Sequence, residues 1–411
     1  MHLESSLVKR LSAKRNVSVY FFFVAALTYS GQTGASLDMM DVLSKQGWDC
    51  RAIKFPWLDR TKRLNVLAHV RFIFSWSWAC LKTMNLFWRR KVILHINIGQ
   101  NLSSFARMGL PYICLKAVRR NLPSIMSLHG SVFQGWDVGK LEARILKYMI
   151  QISSGVTVLG KRQKEHLESW GIHSDHIMIV NGTTEVGVLS PPEIRAKHEY
   201  AAEIEPFRLL HLSLLIPSKG YRLYLDVLEL LASRNGAAIE AVLCGQVTIS
   251  SSELPGMDVA RERAYILERI ATINALGRVK SSWIEGATVS AKWKLYQRSH
   301  VFVFPSRFPV EAQPRVLLEA MAMGCVVICS MVGEIPSMLD KSSAILMEKP
   351  SAEGIAEAVE ALMAQRQRRI ELALSARQEY LERFSAERFT KTWDSIFSRL
   401  ATLSAQPPGR S

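Results

Sequence analysis

The chain has 411 residues, 48% of them apolar and 21% charged, with 23 Gly and 15 Pro. That composition excludes a disordered, collagen-like or disulfide-scaffold chain, and the length points to two or three domains, each able to bury a core. The net charge of +16 calls for an anionic partner and is uneven: residues 1–200 carry a balance of +14 and residues 201–411 one of +2, as expected of two domains with different partners.

In chain order, apolar β-branched runs alternate with amphipathic stretches. Strands are expected at 17–25, 92–98, 124–129, 155–159 and 177–180. A second series is expected at 208–213, 239–244, 301–305, 325–329 and 344–347. Helical patterns fill the gaps, among them ASLDMMDVLSKQG, GYRLYLDVLELLAS and PRVLLEAMAMG. Continuous apolar strands separated by helices predict parallel sheets covered on both faces, and two series predict two doubly wound α/β domains. Pro191 and Pro192, with dense charge after them, place the boundary near 190–200, so the expected domains are 1–195, 196–384 and a terminal helix with a tail over 385–411. The basic start is followed by an apolar stretch that lacks a small-x-small cleavage context. No apolar run reaches the ~18 residues needed to span a bilayer. The six cysteines form no Cys-x-x-Cys pair, so a reducing cytoplasm is the expected compartment.

Chemistry concentrates in VFVFPSRFPVEAQPRVLLEAMAMGCVVICSMVGEIP, residues 301–336. A strand ends at Pro305-Ser306, a loop carries Glu311, and a helix beginning at Pro314 carries Glu319 about a turn and a half along. In open parallel sheets ligands bind at the carboxyl ends of strands, where helix N-termini present free N–H groups to phosphates. Two Glu eight apart are otherwise most simply a solvated helix face, but the apolar neighbours here argue against that.

The segment resembles the signature of glycosyltransferase family 4 (glycosyl transferases group 1), two glutamates separated by seven residues and closed by AMAMG. Other elements agree in order: TYSGQTGAS at 28–36, SLHG at 127–130, VNGTTEVGV at 180–188, LLIPSKGYRLYLDVLELL at 214–231 and VLCGQV at 242–247. The resemblance implies a GT-B architecture, two Rossmann-like domains facing a cleft, with the C-terminal helix crossing back. It implies that the second domain holds a UDP- or GDP-linked sugar and the first an acceptor. Glu319 would bind ribose hydroxyls, Glu311 the sugar, and Lys219 the diphosphate, whose charge grows as the glycosidic bond breaks. His129 would lie near sugar and phosphate, while Gly31 and Gly34 would let the first loop approach the diphosphate. The family's Gly-Phe-Gly is replaced by Ala312-Gln313-Pro314, with Gln313 facing the donor. Retention by front-face displacement, with no metal and no cofactor, is implied too.

Two departures bear on activity. Leu214 stands where the family carries Arg, removing a phosphate donor, and Pro314 has no N–H. They keep open a second class, a catalytically weakened member that acts as a binding or regulatory partner of another transferase. His166, His173 and His176 lack a fourth metal ligand, no G-x-S-x-G elbow supports hydrolysis, and no nucleic-acid module is visible.

The stretch 65–91 mixes aromatics with Arg71, Lys82, Arg89, Arg90 and Lys91. Trp76, Trp78 and Trp88 beside these cations suit a headgroup interface, the plain alternative being a core helix with solvated ends. The expectation is a bacterial retaining glycosyltransferase of surface polysaccharide (lipopolysaccharide or exopolysaccharide) or glycolipid synthesis. It would be peripheral on the inner face of the cell membrane, with a lipid-linked glycan acceptor, an anionic membrane surface as partner and no nucleic acid.

Overall fold

The computed structural model describes residues 17–25, 31–57, 66–184, 187–201, 203, 205–248 and 258–405. The basic start, residues 26–30 of the first loop and the QPPGRS tail lie outside the described residues. The chain forms two units: Met1–Gly182 with Phe389–Ser411, and Thr183–Arg388.

The first unit is built on a parallel sheet of β1 (Ser18–Ala25), β2 (Asp49–Pro56), β3 (Val92–Asn97), β4 (Ser124–Leu128), β5 (Val156–Val158) and β6 (Ile177–Ile179), ordered β2-β1-β3-β4-β5-β6. Its helices are α1 (Gly31–Lys45), α2 (Val66–Asn85), α3 (Leu110–Val118), α4 (Leu141–Gln151) and α5 (Lys161–Ser169). Side chains alternate across a strand, so the Phe run of β1 serves both faces. Phe22 joins Leu94, Ile96 and Met126 in one core layer. Phe21 and Phe23 join Met39 and Leu43 of α1 in the other.

The second unit begins with α6 (Pro191–Glu199). Its sheet comprises β7 (Phe207–Leu212), β8 (Ile239–Cys244), β9 (Val279–Ile284), β10 (Val301–Phe304), β11 (Val326–Ser330) and β12 (Ala344–Met347), ordered β12-β11-β10-β7-β8-β9 and all parallel. Around it lie α7 (Tyr221–Ala232), α8 (Val259–Ala275), α9 (Val289–Arg298), α10 (Arg315–Ala322), α11 (Ala352–Ala364) and α12 (Arg366–Arg383). Counted from its own first strand this is the 3-2-1-4-5-6 order of the doubly wound fold, which turns back between β7 and β10. The last helix, α13 (Ala386–Ala405), sets Phe389, Trp393, Phe397 and Leu400 into the core layer of Phe21 and Ile93 in the first unit.

Pro191 and Pro192 start a helix instead of stopping structure. The first helical turn needs no N–H from its residues, and Ser190 with Glu193 closes a capping box there. The strands β2 and β9, which no apolar run announces, are both sheet edges.

Candidate functional site

The site of the second unit forms at the turning point of its sheet. β7 and β10 are neighbours, Val301 opposite Leu209, and the loops leaving their carboxyl ends are tied together. The Arg307 N–H donates to Ser218 O at 2.6 Å, and Ser306 Oγ lies 3.3 Å from the same carbonyl. Gly220 lets them meet: its φ is +85°, and a Cβ there would lie 2.3 Å from the Pro305 carbonyl oxygen, so a side-chain-bearing residue would be both strained and obstructed.

Lys219, on the turn just before Gly220, puts Nζ 2.5 Å from Glu311 Oε1, with side chains only 18% and 6% exposed. Ser306 Oγ gives its one proton to the same oxygen at 2.8 Å rather than to the more distant Ser218 O, and the Phe308 ring lies 4.5 Å from the ammonium. Both bonds go to Oε1, so Oε2 keeps its lone pairs for a hydroxyl. From behind, the Glu334 N–H donates to Glu311 O at 2.8 Å. Gly333 (φ +54°) allows that approach, since a Cβ there would come within 2.0 Å of the same carbonyl.

Glu319 lies in α10, buried at 5% exposure. Lys292 of α9 reaches its Oε1 at 3.2 Å, and Thr184 Oγ1 is 3.5 Å from that oxygen. Its Oε2 and the Tyr296 hydroxyl are enclosed, each without a geometrically complete hydrogen bond in the described structure. Burial, and then the Glu319 charge beside it, pushes the Tyr296 phenol well above its ordinary range. Gln313 is half-buried in the loop before α10, and Pro314 sits at that helix's N-cap rather than inside it. Leu214 is 57% exposed beyond β7, leaving room for a longer side chain.

The first unit holds the other expected residues. His129 follows β4. Its Nε2 is enclosed without a partner in the described structure, and burial lowers its pKa to about 4. Gly130 is strapped down by Gln100 Nε2 at 2.7 Å and Gln163 Nε2 at 3.0 Å. Gly31 and Gly34 stand in the first turn of α1, not in a loop; what they offer an anion is therefore helix N-terminal N–H groups. His166 and His176 bond to the carbonyls of Phe133 and Ile150 at 3.1 and 2.9 Å. Among the described residues no group of three metal-ligating side chains forms.

Lys292, Thr184, Ser306 and Gln100 were not visible in the sequence. The first two reach Glu319 from 27 and 135 positions away, and no local pattern marks a single Lys on a helix.

Residues 193–379 match the family model of glycosyl transferases group 1. No curated protein matches the chain by sequence. The solved structure of Alr3699/HepE from Anabaena in complex with UDP superposes with a TM-score of 0.67 at 14% identity, over 93% of this chain and 100% of that one. Sucrose-phosphate synthase from Thermosynechococcus elongatus gives 0.66 at 17% identity, over 94% and 99%. The apo form of the lipopolysaccharide outer core galactosyltransferase WaaB gives 0.62 at 16%, over 93% and 100%. At these identities the likeness is one of fold, and the fold is GT-B.

Proposed function

With residues 193–379 forming a glycosyl transferases group 1 domain, we propose that the chain is a retaining glycosyltransferase. It moves a sugar from a nucleotide donor to a lipid-linked glycan acceptor in surface polysaccharide or glycolipid synthesis, at the inner face of the membrane. The observation that carries the reading is the meeting of Lys219 and Glu311, 92 positions apart in sequence, at the carboxyl ends of β7 and β10. A cation and a carboxylate held there suit a sugar diphosphate.

The donor's diphosphate competes with Glu311 for the three N–H donors of Lys219. Charge grows on the leaving phosphate as the anomeric bond breaks, so Lys219 binds the transition state more tightly than the ground state. Glu311, kept in place by Ser306 and the Gly333-Glu334 backbone, orients the sugar through Oε2. Glu319 takes the ribose diol through its carboxylate, with Lys292 balancing its charge. In the front-face route the acceptor hydroxyl bonds to the anomeric carbon on the same face from which the nucleotide diphosphate departs, and its proton passes to the departing phosphate oxygen. The solved complexes of Alr3699/HepE are with UDP and with UDP-glucose, which makes uridine donors the first to try.

The exposed Leu214 in place of a cation, and Pro314 with no N–H, favour the second reading, a weakened binding partner. Purified protein separates the two: thermal stabilisation across a nucleotide-sugar panel, worth about 2.7 kcal/mol at 100 times Kd, followed by donor hydrolysis or transfer. Turnover supports the enzyme, binding without turnover supports the partner, and no binding by any nucleotide sugar sinks both.

A further inference from the structure

The apolar surface that folding leaves uncovered is concentrated in the first unit. On α2, Val70, Ile73, Phe74, Trp78, Leu81 and Met84 are exposed, Phe74 at 74% and Leu81 at 62%. At about 3.6 residues per turn they cover an arc of about 140°. The opposite side carries buried Ala79 and Thr83 and the half-buried Trp76, whose indole N–H donates to Arg107 O at 3.0 Å. Trp76 is thus a packing residue, and Trp78 alone of the pair faces out. The neighbouring α3 continues the surface with exposed Leu110, Cys114 and Val118 at four-residue spacing. A surface helix of a water-soluble fold turns such an arc inward, so a patch of this kind marks a partner.

The charge around it identifies the partner. From residue 60 to residue 136 there is no Asp or Glu, against twelve Lys and Arg. Lys82, Arg89, Arg90 and Lys91 have no carboxylate partner among the described residues. A cavity of about 620 Å³ opens at the C-terminal end of α2, lined by Tyr20, Ile53, Trp78 and Leu86 together with Lys82, Arg89 and Arg51, the last paired with Asp49. A second copy of this chain would set these cations against themselves. An anionic bilayer supplies both what the apolar arc and what the cations need. No described helix is long and apolar enough to cross a membrane, so α2 lies along the surface.

We propose that α2 and α3 form a platform that docks on an anionic phospholipid bilayer, with the apolar arc among the acyl chains and one lipid phosphate seated in the cavity between Lys82 and Arg89. The proposal deepens the inner-face location given above and rests on it, but on no step of sugar transfer.

The test is co-sedimentation of the full chain, without nucleotide sugar, with vesicles of phosphatidylglycerol in phosphatidylcholine and of phosphatidylcholine alone. Binding to the anionic vesicles is expected to be at least about tenfold stronger in low salt. At 1 M salt, where the Debye length is about 3 Å, it should weaken to a residual fraction. Ile73→Ser/Phe74→Ser should abolish that residue of binding. Lys82→Glu/Arg89→Glu should lose more of the salt-sensitive part than Arg90→Glu/Lys91→Glu. These side chains are exposed, and unchanged thermal melts verify that the variants fold. Equal binding to both vesicles, none in low salt, or binding by Ile73→Ser/Phe74→Ser equal to the parent overturns the platform, as does self-association that this variant abolishes in the absence of vesicle binding. Equal losses in the two charge-reversal pairs overturn the phosphate seat. Turnover on a water-soluble acceptor, assayed in parallel, separates the two readings: lost docking with intact turnover defeats only this proposal, and intact docking with no turnover defeats only the transferase.

Discussion

The two units handle charge in opposite ways. In the second, buried carboxylates meet cations, Glu311 with Lys219, Glu319 with Lys292 and Glu262 with Arg222, and the half-buried Glu360 meets Arg234 and Arg278. In the first, the described ion pairs join near neighbours on the surface, such as Lys161 with Glu165 at 3.5 Å, and a long basic stretch has no acid to pair with. Exposed pairs of that kind contribute little to stability, whereas a buried carboxylate must be compensated to remain charged. A preset array of paired charges suits a small ligand whose groups replace one partner at a time. An uncompensated face suits a surface of many weak sites.

The largest expected effect separates the units by acid. His95 and His129 in the first unit are held by burial at about 3 and about 4. In the second, burial holds His198, His211 and His300 at about 3, about 4 and about 2. Each is neutral when folded and takes a proton on unfolding once the pH drops below its ordinary value of 6.5. The stability they confer is therefore complete above pH 6.5 and is lost as the pH falls toward the folded values. The loss is about 1.4 kcal/mol per pH unit per histidine. Urea unfolding at pH 7, 6 and 5 should show both units weakening, the second more steeply because it holds three of the five. A flat profile would mean that these rings are not neutral in the fold.

Next in size is Glu319→Ala. Loss of one or two charge-assisted hydrogen bonds, worth roughly 1.5–3 kcal/mol each, should weaken free nucleotide and nucleotide sugar alike by about tenfold or more in calorimetric titration. Undiminished nucleotide affinity removes Glu319 from the ribose. Lys219→Ala should then lower turnover by at least about tenfold, roughly 1.4 kcal/mol, without changing vesicle binding. Unchanged turnover would remove Lys219 from the diphosphate. The smallest effect expected is from Leu214→Arg. Its exposed position admits a second cation near the diphosphate, and donor affinity measured by titration should tighten a few-fold, or about 1 kcal/mol. Weaker donor binding in that variant would place the diphosphate elsewhere.

What the sequence revealed follows from how local each signal was. The buried strands read cleanly because both faces are covered and every residue is apolar, as in VFVF of β10. At the sheet edges half the side chains face out: Arg51 and Lys54 break β2, and Lys280 and Ser282 break β9, so neither looks like an apolar run. Lys219, Glu311 and Glu319 were legible because each sits in a short motif. Lys292 and Thr184 were not, because only the tertiary fold brings them to Glu319. The Trp76–Trp78 pair was read as one feature, but two positions along a helix turn about 200°, which sends one ring into the core and the other outward.

The placement of α13 also sets a timetable for synthesis. Trp393 and Phe397 lie over the ring of His95, at centroid distances of 5.4 and 6.3 Å, and the Trp48 indole N–H donates to Asp394 Oδ1 at 2.9 Å. This cover for β1 and β3 is translated after the whole of the second unit. At ~5–20 residues per second, the ~200 residues between take about 10–40 s. For that interval one face of the first sheet has been synthesised without its lid, and the second unit has all its residues, at Arg388, before the first does. The later-encoded unit can therefore be completed first, and the newborn chain offers chaperones the bare aromatic layer of Phe21, Trp48 and His95.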